Sequence, residues 1–252
     1  MTMPAAKTAR ARWAEHERPG RTPAAGSCRY RDLGLMSYLS AWDVQRKLVE
    51  RRKTGQAEDH LLLVEHPPVI SMGRNARKEN LLLSEEQYAA LGIDLQHTDR
   101  GGDVTYHGPG QVVGYPVLHL REWKCDVVAY VRALEEVIID AVRDFGIPAG
   151  RLPGCTGVWV EGAKLAAIGV HISRWVTSHG FALNLAPRME CFGYIVPCGL
   201  DKPVVSMEQL LGQAPPREEV LAALIRSFGK VFDRCMLPAA EAADPPAVAE
   251  RQ

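Results

Sequence analysis

Apolar and polar positions follow two rhythms along this chain, and the switches between them mark its elements. Tyr38, Trp42, Gln45, Leu48 and Val49 recur at helical spacing on one face, with Gly55 as the stop. His60-Leu61-Leu62-Leu63-Val64-Glu65 is an apolar run too short for a helix and reads as a buried strand. His66-Pro67-Pro68 then forces an extended exit into a second run over residues 69–72. Ser84-Glu85-Glu86-Gln87 has capping-box spacing and opens a short helix that Gly92 closes. The strongest helical stripe carries Tyr130, Leu134, Val137, Ile138, Ala141 and Phe145, with Asp126 as N-cap and Gly146 and Pro148 as its end. Residues 158–160, a Glu161-Gly162 turn and residues 165–172 read as a hairpin, and residues 176–185 as a further strand. Ser206-Met207-Glu208-Gln209 caps another short helix, and Pro216 precedes a last amphipathic one bearing Val220, Leu224 and Phe228. Residues 28–32 read as an edge strand. Strands outnumber what strict βα alternation gives, so the predicted class is α/β (α+β): a mixed sheet with packed helices, not a Rossmann domain.

One stretch obeys neither rhythm. In Arg100-Gly101-Gly102-Asp103-Val104-Thr105-Tyr106-His107-Gly108-Pro109-Gly110-Gln111, four glycines and a proline rule out a helix interior or a plain central strand. It lies between apolar segments at 93–97 and 112–120, which predicts a glycine-rich loop held between two strands. Its arginine, acid, threonine, tyrosine and histidine are groups that grip polar ligands, and its backbone N–H groups are expected to face a developing oxyanion.

Composition narrows the classes. Of 252 residues, 46% are apolar, ample for a core, and 30 Lys+Arg balance 30 Asp+Glu. No excess charge points to nucleic acid or an acidic membrane surface, and neither is an expected partner. No apolar run approaches the roughly 18 residues of a membrane span. Six scattered cysteines without a CxxC pair predict free thiols in a reducing, cytoplasmic setting. Residues 1–26 are Ala/Arg/Pro-rich with no apolar core and read as a disordered extension; residues 238–252 read as a loose tail. One domain is expected over residues 27–237.

Two residues stand out chemically. Cys198, in Val196-Pro197-Cys198-Gly199, is either a buried structural thiol or a nucleophile presented by a turn. Lys164 is a lone charge among small apolar residues, either a surface lysine beside a turn or a cleft group able to act on a nearby thiol. The histidines fit no zinc spacing, and no metal is expected. His119 and His171 read as ordinary sheet residues, whereas His107 and His179 lie beside glycines in expected loops and are candidates for ligand contact. P-loop and GxGxxG patterns are absent.

Together, several ordered stretches closely resemble the lipoyl(octanoyl) transferases, the octanoyl-[acyl-carrier-protein]:protein N-octanoyltransferases of lipoate biosynthesis. The matching residues are His66-Pro67-Pro68-Val69 with Gly73-Arg74, Thr98-Asp99-Arg100-Gly101-Gly102 through Gln111, and Gly157-Val158-Trp159-Val160. Lys164-Leu165-Ala166-Ala167-Ile168-Gly169, His179-Gly180-Phe181-Ala182-Leu183-Asn184 and Pro197-Cys198-Gly199 follow. Departures are Cys155-Thr156 before Gly157, Ser178 before His179, and Asp201-Lys202 after the Cys-Gly-Leu turn.

The resemblance implies a biotin/lipoate ligase-like fold and an acyl transfer without cofactor, metal or ATP. It implies Cys198 as the acyl-thioester nucleophile and Lys164 as the group that lowers the cysteine pKa. The implied acyl-binding residues are Arg100, Gly101, Gly102, Asp103, Val104, Thr105, Tyr106 and His107, then Ala167-Ile168-Gly169 and Gly180-Phe181-Ala182. Implied partners are octanoyl-acyl carrier protein and the apo lipoyl domains of 2-oxoacid dehydrogenase E2 subunits and of the glycine cleavage H protein, met by a monomer. The alternatives are an ATP-dependent lipoate or biotin ligase and a non-catalytic lipoyl-domain-binding protein.

Overall fold

The structure, a computed structural model, describes residues 26–196 and 202–239. Cys198 lies outside the described residues, as do most of the expected extension and tail.

Eight strands form one mixed sheet. They are β1 (Ser27–Leu35), β2 (Asp59–Glu65), β6 (Gln111–Val117), β7 (Gly150–Leu152), β8 (Cys155–Val160), β9 (Ala163–Ser173), β10 (Val176–Asn184) and β11 (Cys235–Pro238), in the order β11-β1-β2-β6-β10-β9-β8-β7. β1 runs parallel to both β2 and β11, and the other neighbours are antiparallel. A second sheet of order β4-β3-β5 holds β3 (Val69–Met72), β4 (Asp94–His97) and β5 (Val104–His107). In sequence it falls between β2 and β6, neighbours in the large sheet. The small sheet is therefore an excursion from the large one that leaves and returns side by side.

The helices are α1 (Tyr38–Lys53), α2 (Glu85–Ala90), α3 (Val127–Arg143), α4 (Met207–Leu211) and α5 (Arg217–Phe232). Their starts are chemically set. Ser37 and Asp126 cap α1 and α3, and Ser84 and Ser206 form reciprocal capping boxes with Gln87 and Gln209. Because strand side chains alternate, Leu61, Leu63, Val112 and Leu183 face a core with α3 and α5, whereas Leu62, Val64, Val113 and Ala182 face Ala41 of α1. Ile70, Val104 and Tyr106 form a separate core with Tyr88 of α2, Cys191 and Ile195. No helix among the described residues is long and apolar enough to cross a membrane.

Three features depart from the sequence expectation. β1 is not an edge strand, because β11 covers its outer side and Ala239 N–H donates to Tyr30 O at 2.8 Å. The glycine-rich stretch is not one loop: residues 104–107 form β5 and leave a turn on each side. Val104 and Tyr106 enter the small core while Thr105 and His107 take the other face. His107 and His179 accordingly stand in strands, not loops.

Candidate active site

The two sheets meet over a cleft of about 330 Å³, counted with its open mouth. Thr105 lines it from β5, Gln111 from β6, Lys164 and Ala167 from β9 and Asn184 from β10; Phe192 and Val204 complete the wall. The sequence reading anticipated Thr105, Lys164 and Ala167. It did not single out Phe192 and Val204, whose apolar character carries no signal of its own, or give a site role to Asn184, which lies inside the expected strand and ends the observed one.

Lys164 reaches this cleft through a one-residue irregularity. Val158 pairs with Ala166, but the next residue, Trp159, pairs with Lys164, so Leu165 is the extra residue of a bulge. Leu165 and Ala166 consequently both enter the α3/α5 core, leaving Lys164 and Ala167 on the cleft side. Strict alternation would put residues 164 and 167 on opposite faces. Lys164 is only 8% exposed, and its ammonium lies 4.8 Å from the centroid of the Trp159 ring. Its N–H donates to Pro203 O at 2.8 Å, and Val205 N–H donates back to Lys164 O at 3.0 Å.

Polar groups join the two sheets. Arg100 Nε donates to Ser71 Oγ at 3.1 Å, and Ser71 Oγ lies 3.2 Å from His107 Nε2. His107 Nδ1 is 3.3 Å from Gln111 Oε1. Gln111 Nε2 donates to Asn184 Oδ1 at 2.9 Å, and Asn184 Nδ2 donates to Val205 O at 3.1 Å. All five side chains are buried. The ribbon thus runs from the Arg100 turn to the segment bonded to Lys164. Burial holds His107 well below the usual imidazole range, helped by nearby His66 and Arg100. Burial also lowers His66, to about 4; its Nδ1–H donates to Met36 O at 2.7 Å and its Nε2 accepts from Tyr115 OH at 2.8 Å.

Several expected contact residues work inside the protein. The Arg100 guanidinium donates to Gly101 O, Ser71 O and Asp103 O. Asp103 accepts from the N–H groups of Arg77 and Val104 and from Asn80. The turn is also locked onto Gly73, where a Cβ would stand 2.3 Å from Gly102 O. Gly101 N–H donates to Val170 O at 2.9 Å and is not available to an oxyanion. Gly169 and Gly180 are register partners, and a Cβ at Gly169 would lie 3.0 Å from Gly101 O. Gly169 thus lets the turn lie directly on β9, whereas a Cβ at Gly180 would meet Gly114 O of β6 at 2.2 Å. Ile168 and Phe181 pack on the α3/α5 side of the sheet, away from the cleft, whereas Ala182, register partner of the cleft-lining Ala167, shares the cleft face and packs in the cluster with Ala41 of α1.

His179 is 1% exposed and has φ of 55°, a conformation costly for a non-glycine residue. Its Nε2 lies 2.7 Å from Asp99 Oδ1, its Nδ1 lies 3.4 Å from Tyr38 OH, and its N–H donates to Gln45 Oε1 at 2.7 Å. The hydrogen bond from His179 holds the Asp99 carboxyl below its usual range. His171, expected as a plain sheet residue, stands 3.6 Å from the same carboxylate and accepts from Arg74. What the cleft offers is a narrow, largely apolar slot with a buried cation and a hydrogen-bonded amide pair along its floor. That suits an acyl chain ending in a polar head.

Comparison with known proteins places the chain in a family and its fold. The sequence pattern described as the lipoyl protein ligase A/B catalytic domain matches residues 37–229. The chain is 57% identical over 217 residues to the octanoyltransferase of Solibacter usitatus (strain Ellin6076), covering 86% of this chain and 98% of that one. The crystal structure of lipoate-protein ligase A bound with ATP is similar at a TM-score of 0.67 and 15% identity, over 87% of this chain and 90% of that one. A biotin protein ligase from Aquifex aeolicus in complex with biotin and ATP is similar at 0.51 and 14%, over 82% and 70%. At such identities those two structures speak for the fold alone, which is the biotin/lipoate ligase-like one. The chain belongs to the octanoyltransferases, acyl-transferring enzymes of protein lipoylation built on the lipoyl protein ligase A/B catalytic domain.

Proposed function

We propose that this enzyme takes an octanoyl group from octanoyl-acyl carrier protein and delivers it, through a thioester on Cys198, to a lysine of apo lipoyl domains. The acceptors are those of 2-oxoacid dehydrogenase E2 subunits and the glycine cleavage H protein, met in the cytoplasm by a single chain. The Cys198 thiolate attacks the carrier thioester, a new C–S bond forms, and the phosphopantetheine thiol leaves with a proton. The proton that the phosphopantetheine thiol carries away comes from the Lys164 ammonium, which is left as the neutral amine. The acceptor lysine amine then attacks the enzyme thioester; a C–N bond forms, the Cys198 thiolate departs, and the neutral Lys164 takes up the amine's proton. Thioester exchange is nearly isoenergetic and amide formation is downhill, so the reading requires no nucleotide, metal or other cofactor.

The observation that carries this reading is the buried Lys164 in a narrow cleft walled in part by apolar side chains. Five residues beyond Cys198 the chain is bonded to it, with Pro203 O accepting from Lys164 N–H at 2.8 Å. The wall of Ala167, Phe192 and Val204 fits an alkyl chain, each buried CH₂ of which contributes about 0.8 kcal/mol.

Intact-protein mass spectrometry after incubation with octanoyl-acyl carrier protein tests it. One octanoyl mass is expected without ATP or metal, labile to hydroxylamine, discharged by an apo lipoyl domain and missing in Cys198→Ala. An adduct that survives in Cys198→Ala means another residue carries the acyl group. Transfer that requires ATP would make the chain a ligase.

A further inference from the structure

Beneath the Lys164 ammonium lies Trp159, its register partner on β8 and 3% exposed. Four observations tie the indole's position to the lysine. Glu135, on α3 and wholly buried, accepts Gly157 N–H on Oε1 at 3.1 Å. Its Oε2 accepts from Arg132 Nη1 at 2.7 Å and Arg151 Nε at 2.9 Å, which balance its charge. Gly157 has φ of 121°, and a Cβ there would stand 2.6 Å from Ala166 O, so β8 presses on β9 at the bulge itself. That same Cβ position lies 3.7 Å from both Lys164 Cε and Trp159 Nε1, placing Gly157 where the lysine stem and the indole meet.

A lysine side chain has four rotatable bonds and loses much freedom when held in one geometry. An aromatic face within about 6 Å attracts the ammonium and selects among its rotamers, indole more strongly than phenyl. The indole needs a fixed seat to do so, and the Glu135–Gly157 hydrogen bond anchors β8 two residues before it.

We propose that Trp159 is a positioning residue for Lys164: its ring face sets the direction of the ammonium in the cleft, and Glu135 fixes that ring through Gly157 N–H. The proposal rests on the reading of Lys164 as the group that raises the thiolate fraction of Cys198. It adds a residue that acts through Lys164.

The test is the pH dependence of iodoacetamide alkylation, read at the Cys198 peptide by mass spectrometry, in the full chain. Variants are Trp159→Leu, Trp159→Phe, Lys164→Met and the Trp159→Leu/Lys164→Met double. Trp159→Leu is expected to move the alkylation midpoint up by about half a pH unit, about threefold slower at neutral pH, with Trp159→Phe in between. In the Lys164→Met background Trp159→Leu should add nothing, which a merely structural role for the ring would not produce. If Lys164→Met is displaced but Trp159→Leu keeps the wild-type midpoint, or if the two changes add, the positioning role is overturned while the lysine–thiol reading stands. If Lys164→Met itself keeps the wild-type midpoint, the underlying reading falls and the proposal with it. Should Trp159→Leu not fold, Trp159→Met replaces it with the same outcomes.

Discussion

His66 and His107 are two imidazoles that the fold keeps neutral, His66 with a value near 4 because burial disfavours its charged form by more than the hydrogen bond to Met36 O favours it. The unfolded chain takes up the His66 proton near pH 6.5, before the native one does. Stability is therefore whole above about pH 6.5, falls as pH drops through that value, and stops falling from this source near 4. His66→Asn should flatten the fall by about one proton, roughly 1.4 kcal/mol per pH unit near pH 5. Urea unfolding at pH 7.5, 5.5 and 4.5 reads the slope, and equal slopes in variant and wild type would sink the assignment. At this scale the sequence was partly legible. Lys164 declared itself as a lone charge among small residues. Glu135 did not, because on a helix rich in charge nothing marks which acid lies wholly buried. Arg100 looked like a ligand-binding group, and its partners inside the turn come from Ser71 and Asp103, one of them far away in sequence.

The hairpin of β8 and β9 was read correctly from its Glu161-Gly162 turn, yet the bulge within it was not. Ala163-Lys164-Leu165-Ala166-Ala167 offers no alternation from which a slip of one residue could be seen. β5 was hidden by its flanking glycines, β7 is only three residues long, and β11 is short and defined by a distant partner, β1. The close approach at the bulge yields a paired prediction. Gly157→Ala would set a Cβ 2.6 Å from Ala166 O at φ 121°, whereas Gly162→Ala, at φ 83°, meets nothing within 4 Å. Gly157→Ala should cost more than about 2 kcal/mol, and Gly162→Ala only about 1. Denaturant midpoints for the two proteins decide; equal losses would mean that β8 yields freely at the bulge.

Across the whole molecule, distant parts of the chain meet at one buried acid. Asp59, at the start of β2, accepts from Arg52 Nε of α1 at 2.9 Å, from His119 N–H at 3.0 Å and from Arg234 Nε at 3.0 Å. Glu122 joins the group through Arg52. All three charged groups in the centre are under 9% exposed, so removing the anion takes from Arg234 its carboxylate partner and leaves Arg52 to Glu122. Asp59→Asn should cost about 3 kcal/mol in equilibrium unfolding, and a loss below about 1 would show that the network contributes little. Directly beside this acid lies the pairing of β1 with β11, Cys28 with Met236 and Tyr30 with Pro238. Near neighbours in sequence build β2 onto β1, but the other side of β1 must wait for nearly the whole chain. Contacts this far apart form late, and until they do β1 shows a row of unpaired N–H and C=O groups that a second copy can occupy. Refolding is thus a race between an intramolecular step, whose rate is fixed, and an intermolecular one that quickens with concentration, so dilution raises the yield of native protein without altering its stability.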